Sequence, residues 1–245
     1  MPGYVIHMAT ASRLLEEKGE TNSSFIDAFL LGNIIPDAMA RNAKKESHFW
    51  DDETYKNLNR IPNMDAFISK YGDSLDDPFV LGYYTHLLLD NLFVKEYWSE
   101  HFDMIDKDMN PENLYEKVQY MRVKNDGNKA SIKGTGAIIY PREEFFSDRL
   151  YYGDYDRMYP YILEKYNIQL PKNIRELDEI RIPITQINRE ETIPILHGML
   201  DKVSRLCDRK NAITRGDKKE PLKIFELEHI YNLIEKVVSN VCCMI

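Results

Sequence analysis

The sequence predicts an all-α protein, a single-domain helical bundle over residues 1–245. Apolar residues recur at helical spacing along most of the chain, whereas β-like alternation is confined to the short stretch 180–187. A composition with 43% hydrophobic and 29% charged residues, and with eleven Gly and eleven Pro, is typical of a globular chain that buries one core. The sequence contains no visible internal repeat.

The net charge, the apolar runs and the N-terminal residues each argue against a class of protein. The chain carries 32 Lys and Arg against 40 Asp and Glu, and a net charge of −8 would repel a phosphate backbone, so we expect no general nucleic-acid binding. The longest apolar run, 79–94, contains His86 and Asp90, and we therefore expect no transmembrane segment. Residues 1–18 do not resemble a signal peptide, which favours a cytoplasmic location. No feature of the sequence indicates an oligomeric state.

The first helices are predicted from their end signals. We expect a helix over 4–18 that stops at Gly19, and a second helix over 23–32 that begins at two serines. The stretch 32–50 combines loop residues with bulky apolar ones, so it is predicted to fold back onto the core. Asn63 is placed to cap a short helix that ends near residue 72.

The strongest local signal is Asp77 followed by Pro78, a capping acid and a proline at the first helical position. It opens a long central helix over about 77–102. One face of this helix is lined at steps of three and four residues by Phe79, Tyr83, His86, Asp90, Phe93 and Tyr97. A histidine and an aspartate therefore lie within an apolar stripe.

The second half of the chain is less regular. Residues 103–137 are polar, and we predict a lid-like excursion there with at most one short helix. Further helices are predicted at about 142–149, 155–167, 189–208 and 222–241 from their apolar spacing.

His86 and Asp90 form a His-x-x-x-Asp pair, which a helix places on one face about one turn apart. A buried carboxylate is costly unless it is paired or bound to a metal. Two interpretations are equally open at this point, a metal site and a simple buried hydrogen bond between the two side chains.

Three other candidates stand in unusual places. His7 begins the first helix, Asp37 follows a proline in a loop, and His48 lies in a Ser-His-Phe-Trp segment. Each also has an ordinary structural interpretation, as a helix-face imidazole, a helix cap and a member of an aromatic cluster, respectively.

Taken in order, these residues form a set of motifs. The chain reads Met-Pro-Gly-x-x-x-His at its start, then Gly-x-x-x-Pro-Asp, Ser-His-aromatic and Gly-Tyr-x-x-His-x-x-x-Asp. Over residues 1 to about 100 this set resembles the zinc-dependent phospholipase C family, which is related to single-strand-specific zinc nucleases. The resemblance implies an all-α zinc phosphodiesterase with its metals in a cleft between helices.

The resemblance also implies a ligand set. One zinc ion would be held by Asp37, His48, His86 and Asp90, and a second by His7, the amino terminus of the chain and a bridging Asp90. Asp37 would act as the general base as well as a ligand. Two imidazoles with two carboxylates suit zinc.

The sequence departs from the family pattern beyond this set. Residues 93–95 supply no further histidine, and the one later His-x-x-x-acid match is His197 with Asp201, a possible third metal site. This pair lies beside the apolar face of its helix and is more typical of an ordinary i,i+4 contact. His101 is interpreted as a favourable charge at a helix end, and His229 as an amphipathic-face residue.

The leading hypothesis is therefore a zinc-dependent hydrolase of phosphate esters, either phosphodiesters or phospholipids, in which zinc-bound hydroxide attacks phosphorus. Its partner would be a small phosphate ester or a phospholipid head group. Two alternatives remain. One is a metal-stabilised helical binding module without turnover, and the other is a helical scaffold without metal.

Overall fold

The computed structural model describes residues 2–40, 43–124, 137–171, 181–213 and 219–244, and it is mostly helical. The α-helices among these residues are α1 (Tyr4–Glu17), α2 (Ser23–Ile34), α3 (Lys44–Ser47), α4 (Asp52–Lys56), α5 (Met64–Tyr71), α6 (Pro78–Leu92), α7 (Ser99–His101), α8 (Arg142–Phe145), α9 (Tyr151–Lys165), α10 (Arg189–Ile213) and α11 (Leu227–Cys242). Three strands complete the list, β1 (Phe102–Ile105), β2 (Tyr120–Val123) and β3 (Ile138–Pro141).

The predicted central helix is confirmed in extent. Asp77 caps it by accepting a hydrogen bond from the backbone N–H of Phe79, and α6 then continues through a π-helical turn over Phe93–Trp98 into α7. Asn63 caps α5 in the same way, as its position in the sequence predicts. Capping acids and amides stabilise a helix start by about 1 kcal/mol each, which is why such signals are informative.

Two glycines allow a close contact between α2 and α6. A Cβ atom on Gly32 would lie 2.0 Å from the carbonyl oxygen of Phe79, and one on Gly82 would lie 2.1 Å from that of Phe29. Both distances are shorter than any real Cβ contact. The two helices can therefore touch backbone to backbone only because neither glycine has a side chain.

A single cluster of buried apolar residues runs through the helices from α1 to α11. The helix α1 packs between α2 and α11, and α11 also contacts α6. Burial of this face of α11, which includes Ile230, Leu233 and Val237, stabilises the C-terminal helix by the transfer of apolar surface from water.

The all-α prediction is wrong in one region. The strands form an antiparallel sheet in the order β1-β2-β3, with Phe102 opposite Val123 and Tyr120 opposite Pro141. The predicted lid-like excursion over 103–137 therefore contains sheet, and its part from 125 to 136 lies outside the described residues. Each strand has only four residues, and only Phe102, Ile105 and Met121 are buried, so no alternation long enough to recognise exists in the sequence.

The remaining boundaries differ in smaller ways. The predicted helix 142–149 is the single turn α8, while α9 begins earlier than predicted, at Tyr151, and α10 extends beyond the predicted end at 208. Residues 181–187 form no strand, despite their alternation. Within the described ranges, no helix is both long enough and apolar enough to span a bilayer.

Candidate metal centre

Five of the predicted site residues meet between four segments. His7 lies in the first turns of α1, Asp37 ends a 3-10 turn directly after α2, His48 follows α3, and His86 and Asp90 lie on α6. The side chains of the three histidines and of Asp90 are at most 1% exposed, whereas that of Asp37 is 11% exposed. We call these five residues the central cluster.

The glycine contact between α2 and α6 positions this cluster. Close approach of the helices brings the carbonyl oxygen of Asn33 within 2.7 Å of Nδ1 of His86, and the amide of Asn33 donates to the carbonyl of Gly82 at 3.3 Å. Asn33 is thereby held against α6, and Asp37 follows it by one turn of chain. The Gly-x-x-x-Pro-Asp motif therefore has a structural role in addition to supplying a candidate ligand.

The ring orientations leave two imidazole nitrogens without protons. A carbonyl oxygen only accepts, so Nδ1 of neutral His86 carries the proton that is donated to Asn33. Nδ1 of His48 lies 2.9 Å from Oγ of Ser47 and 3.1 Å from the carbonyl oxygen of Lys44. Because that carbonyl oxygen only accepts, and the hydroxyl of Ser47 donates to the carbonyl oxygen of Pro36 at 3.0 Å, we assign the proton of His48 to Nδ1 as well. The two Nε2 atoms therefore present lone pairs, and they face each other at 3.3 Å.

Asp90 lies against these nitrogens. Its Oδ2 atom is 3.5 Å from Nε2 of both His48 and His86, and its Oδ1 atom is 3.4 Å from Nε2 of His7. Neither carboxylate oxygen has a well-oriented hydrogen-bond donor, and neither ring nitrogen of His7 makes a well-oriented hydrogen bond. A buried carboxylate in this state costs several kcal/mol unless another group compensates its charge.

A second fully buried carboxylate, that of Asp154, has a full set of hydrogen-bond donors. Asp154 accepts hydrogen bonds from the backbone N–H groups of Lys223, Ile224 and Phe225 at 2.7–3.1 Å, and it also pairs with Arg157 at 2.9 Å. Asp154 and Asp90 are equally buried. The contrast indicates that the charge of Asp90 is compensated by a group other than a hydrogen-bond donor, such as a cation.

The spacing of the ligand-type atoms suits a metal ion. Zinc binds nitrogen and oxygen ligands at about 2.0–2.1 Å, so two ligands of one tetrahedral ion lie about 3.3 Å apart. Nε2 of His48 is 3.3 Å from Nε2 of His86, 3.5 Å from Asp90 and 3.7 Å from Asp37. Two triads within the cluster have all their ligand atoms within 4.8 Å of one another, namely His7 with His86 and Asp90, and Asp37 with His48 and His86. The residues therefore fit one or two zinc ions.

The electrostatics keep these groups in their ligand forms. Burial lowers the pKa of His48 to about 3, since the desolvation of the charged ring outweighs the attraction of Asp90. Burial, together with His86, also lowers the pKa of His7. Burial alone would raise the pKa of Asp90, but an Nε2 proton on His7 or His86 would donate to this carboxylate, and that donation outweighs burial and holds the pKa well below its ordinary value. Two neutral imidazoles and an ionised carboxylate are what a divalent cation requires.

Lys44 is a member of the site that sequence reasoning missed. Its Nζ atom lies 2.7 Å from Oδ1 of Asp37. Burial would raise the pKa of Asp37, but the charge of Lys44 and the adjacent imidazoles outweigh it, so the pKa is lowered. The Lys44 side chain is 26% exposed, which is more than any member of the central cluster. Asp37 and Lys44 are therefore more exposed than the other described residues of this site.

The other predicted ligands are the amino terminus of the chain and the pair His197 and Asp201. Met1 lies outside the described residues, and with it the proposed amine ligand. His197 is half-buried and Asp201 exposed on α10, and neither belongs to any convergent group of ligand-type side chains found among the described residues. Comparisons of the chain with protein-family models, with curated proteins and with solved structures find no match.

Proposed function

We propose that this chain is a cytoplasmic zinc-dependent hydrolase of phosphate esters, with phosphodiesters or phospholipids as substrates, of the kind found in the zinc-dependent phospholipase C family. The observation that carries the proposal is the 3.3 Å contact between the Nε2 atoms of His48 and His86, to which we assign lone pairs, beside the buried carboxylate of Asp90, which has no well-oriented hydrogen-bond donor. In the absence of a cation, two facing lone pairs and an unsatisfied carboxylate are all unfavourable.

The residues that would hold zinc follow from the two triads. Asp37, His48, His86 and Asp90 would bind one ion, and His7 with Asp90 would contribute to a second. Such an ion supplies Lewis acidity, lowering the pKa of a bound water and neutralising charge on phosphoryl oxygens. His48 and His86 are held for this role by hydrogen bonds from their Nδ1 atoms to backbone carbonyl oxygens, the usual support of zinc-binding imidazoles.

Asp37 and Lys44 are the two charged side chains at the more exposed edge of the site. The carboxylate of Asp37 is the more exposed acid of the central cluster, so it would accept a hydrogen bond from an attacking water and orient it, although its lowered pKa makes it a weak general base. The ammonium of Lys44 presents a positive charge at the same place, where it would bind a phosphoryl oxygen and orient the ester. A local cation offsets the net charge of −8, which would otherwise repel an anionic substrate.

The test begins with metal content and continues with turnover. Protein purified without added metal or chelator should contain at least one zinc ion per chain. It should hydrolyse bis(p-nitrophenyl) phosphate, lose this activity in chelator and regain it when zinc is returned. Asp37→Asn should lower the rate, whereas the control His197→Gln should not. A metal content below about 0.2 per chain, with no uptake of added zinc, contradicts the proposal.

Substrate class is settled by three probes used side by side. Bis(p-nitrophenyl) phosphate represents phosphodiesters, p-nitrophenyl phosphate represents monoesters, and phosphatidylcholine vesicles represent phospholipids. Tight zinc binding without hydrolysis of any of the three would favour the alternative function, a metal-stabilised binding module. Hydrolysis of the monoester alone would keep the metal centre but overturn the choice of diesters.

A further inference from the structure

A second pair of histidines lies far from the central cluster. His101 ends α7, about 16 Å beyond Asp90 along the same helical path at 1.5 Å per residue. Its Nε2 atom is 2.7 Å from Nδ1 of His229, in the first turn of α11, and the two rings meet edge to face at 74°. His101 lies at the helix end, as the sequence predicts, and its side chain is buried there, with only 4% exposed.

His101 is rigidly oriented. Its Nδ1 atom donates to the carbonyl oxygen of Tyr97 at 2.8 Å, and its ring stacks on that of Tyr97 with the planes 6° apart. The proton of the neutral ring is therefore on Nδ1, and the lone pair of Nε2 points toward α11. A histidine whose other nitrogen is fixed by a backbone carbonyl is the common arrangement in metal sites.

A carboxylate completes the group. An oxygen of Glu100 lies within 4.8 Å of both ring nitrogens. Glu100 is exposed and His229 is half-buried, so one side of the group is open to water. Two imidazoles, one carboxylate and solvent are a ligand set that zinc and other divalent transition metals accept.

We propose that Glu100, His101 and His229 form a separate, solvent-facing site for a divalent transition-metal ion such as zinc. The ion joins the end of the central helix to α11, and it takes the place of the proton that Nδ1 of His229 now shares with His101, so that the ring of His229 carries its proton on Nε2 instead. The nitrogens then separate from 2.7 Å to about 3.3 Å, a shift that the half-buried ring of His229 can make. This site does not depend on the function proposed for the central cluster.

The contact between these helices has other supports, so variants of the site should fold. The hydroxyl of Tyr97 accepts the backbone N–H of Glu226 at 2.7 Å, and Lys236 pairs with Glu96 at the same distance. Neither contact involves His229. Loss of the His229 ring therefore removes a candidate ligand without opening the interface.

The experiment is a zinc titration of the full chain. Zinc is added to the wild type, to His229→Gln and to the control His197→Gln, and the number of bound ions and their affinities are measured by calorimetry. We expect His229→Gln to bind one ion fewer than the wild type, or to bind it at least tenfold more weakly. Glu100→Gln should weaken the same ion, and His197→Gln should match the wild type.

A second readout identifies the ligands directly. In protein labelled with ¹⁵N-histidine, zinc should shift the Nε2 resonance of His101 and the Nδ1 resonance of His229. Wild-type stoichiometry and affinity in His229→Gln would overturn the proposal and leave only a hydrogen bond between the two histidines. Failure of the central cluster looks different. In that case the wild type binds a single ion, and His229→Gln loses it.

Discussion

Replacement of Gly82 by alanine tests how the fold builds the central cluster. The added Cβ would lie 2.1 Å from the carbonyl oxygen of Phe29 and 2.9 Å from the backbone nitrogen of Asn33. Because real Cβ contacts to backbone are at least about 3.0 Å, α2 and α6 must separate by about 1 Å. The hydrogen bond from His86 to Asn33 would then be lost, and the two Nε2 atoms would no longer face each other at 3.3 Å.

The magnitude follows from two opposing effects. Overpacking of a core costs about 1–3 kcal/mol, and backbone against backbone has little room to relax, so the upper part of that range applies. Alanine regains up to about 1 kcal/mol of helix propensity. We therefore expect a net loss of about 1–2 kcal/mol, or a fall in Tm of roughly 2–8 °C for a chain of this size.

A matched glycine in the same chain provides the control. Gly198 lies in the helix α10, is exposed, and has no atom within 4 Å of its would-be Cβ. Gly198→Ala should therefore raise the stability by about 0.4–1 kcal/mol, through helix propensity and a less flexible unfolded chain. Thermal melts and zinc titrations of both variants complete the assay. Equal stability and equal zinc affinity in Gly82→Ala and the wild type would refute the backbone contact as the element that positions His86.

Three further predictions concern the side chains of the centre. His86→Ala should lower the Tm more in zinc than in chelator, because the change removes a zinc ligand. In both conditions it leaves Asp90 buried without His86, at a cost of roughly 3–5 kcal/mol. Equal losses of Tm in zinc and in chelator would mean that His86 and Asp90 are only a buried pair. Lys44→Met should keep zinc, measured as metal content, but slow diester hydrolysis about 10- to 100-fold, because one charged hydrogen bond contributes about 1.5–3 kcal/mol; an unchanged rate would exclude a role in substrate binding. The metal-free chain should lose stability as the pH falls from about 6.5 toward 3, because unfolded His48 takes up a proton that the folded ring, with its pKa lowered to about 3, rejects. Chemical denaturation should show a smaller loss in His48→Gln, and equal slopes would contradict the buried neutral ring.

The helical part of the fold could be predicted because its signals are local. Asn63 and Asp77 mark helix starts by the hydrogen bonds that their side chains accept, and apolar spacing identifies the buried faces. The sheet could not be predicted in this way. Its four-residue strands are partly exposed and are paired across long stretches of sequence, so neither propensity nor alternation distinguishes them from loop.

Some residues of the candidate site could also be predicted from local spacing, and others could not. His86 and Asp90 are four residues apart, and this spacing places them on one face of a helix. Asp37 and His48 lie in loop segments without periodicity, and only the resemblance to a family pointed to them. Lys44 reads as an ordinary solvated charge in a Lys-Lys-Glu run, and its contact with Asp37 depends on how the loop folds back.

The burial of His101 could not be predicted from the residues around it. A histidine at the end of a helix is usually interpreted as a favourable terminal charge. Whether it is instead buried depends on α11, which begins more than 120 residues later in the chain and packs against the end of the central helix. No pattern in the residues around position 101 contains that information.

The metal content of the wild-type chain tests the central claim most directly. Protein should be purified without added metal and without chelator, with an affinity tag placed at the C-terminus so that the start of the chain is left unmodified, and analysed beside Asp90→Asn. We predict at least one zinc ion per wild-type chain, with a marked loss in Asp90→Asn, because Asp90 lies within 3.5 Å of three imidazoles. A wild type that contains no zinc and takes up none on addition would contradict the metal centre and the hydrolase built on it.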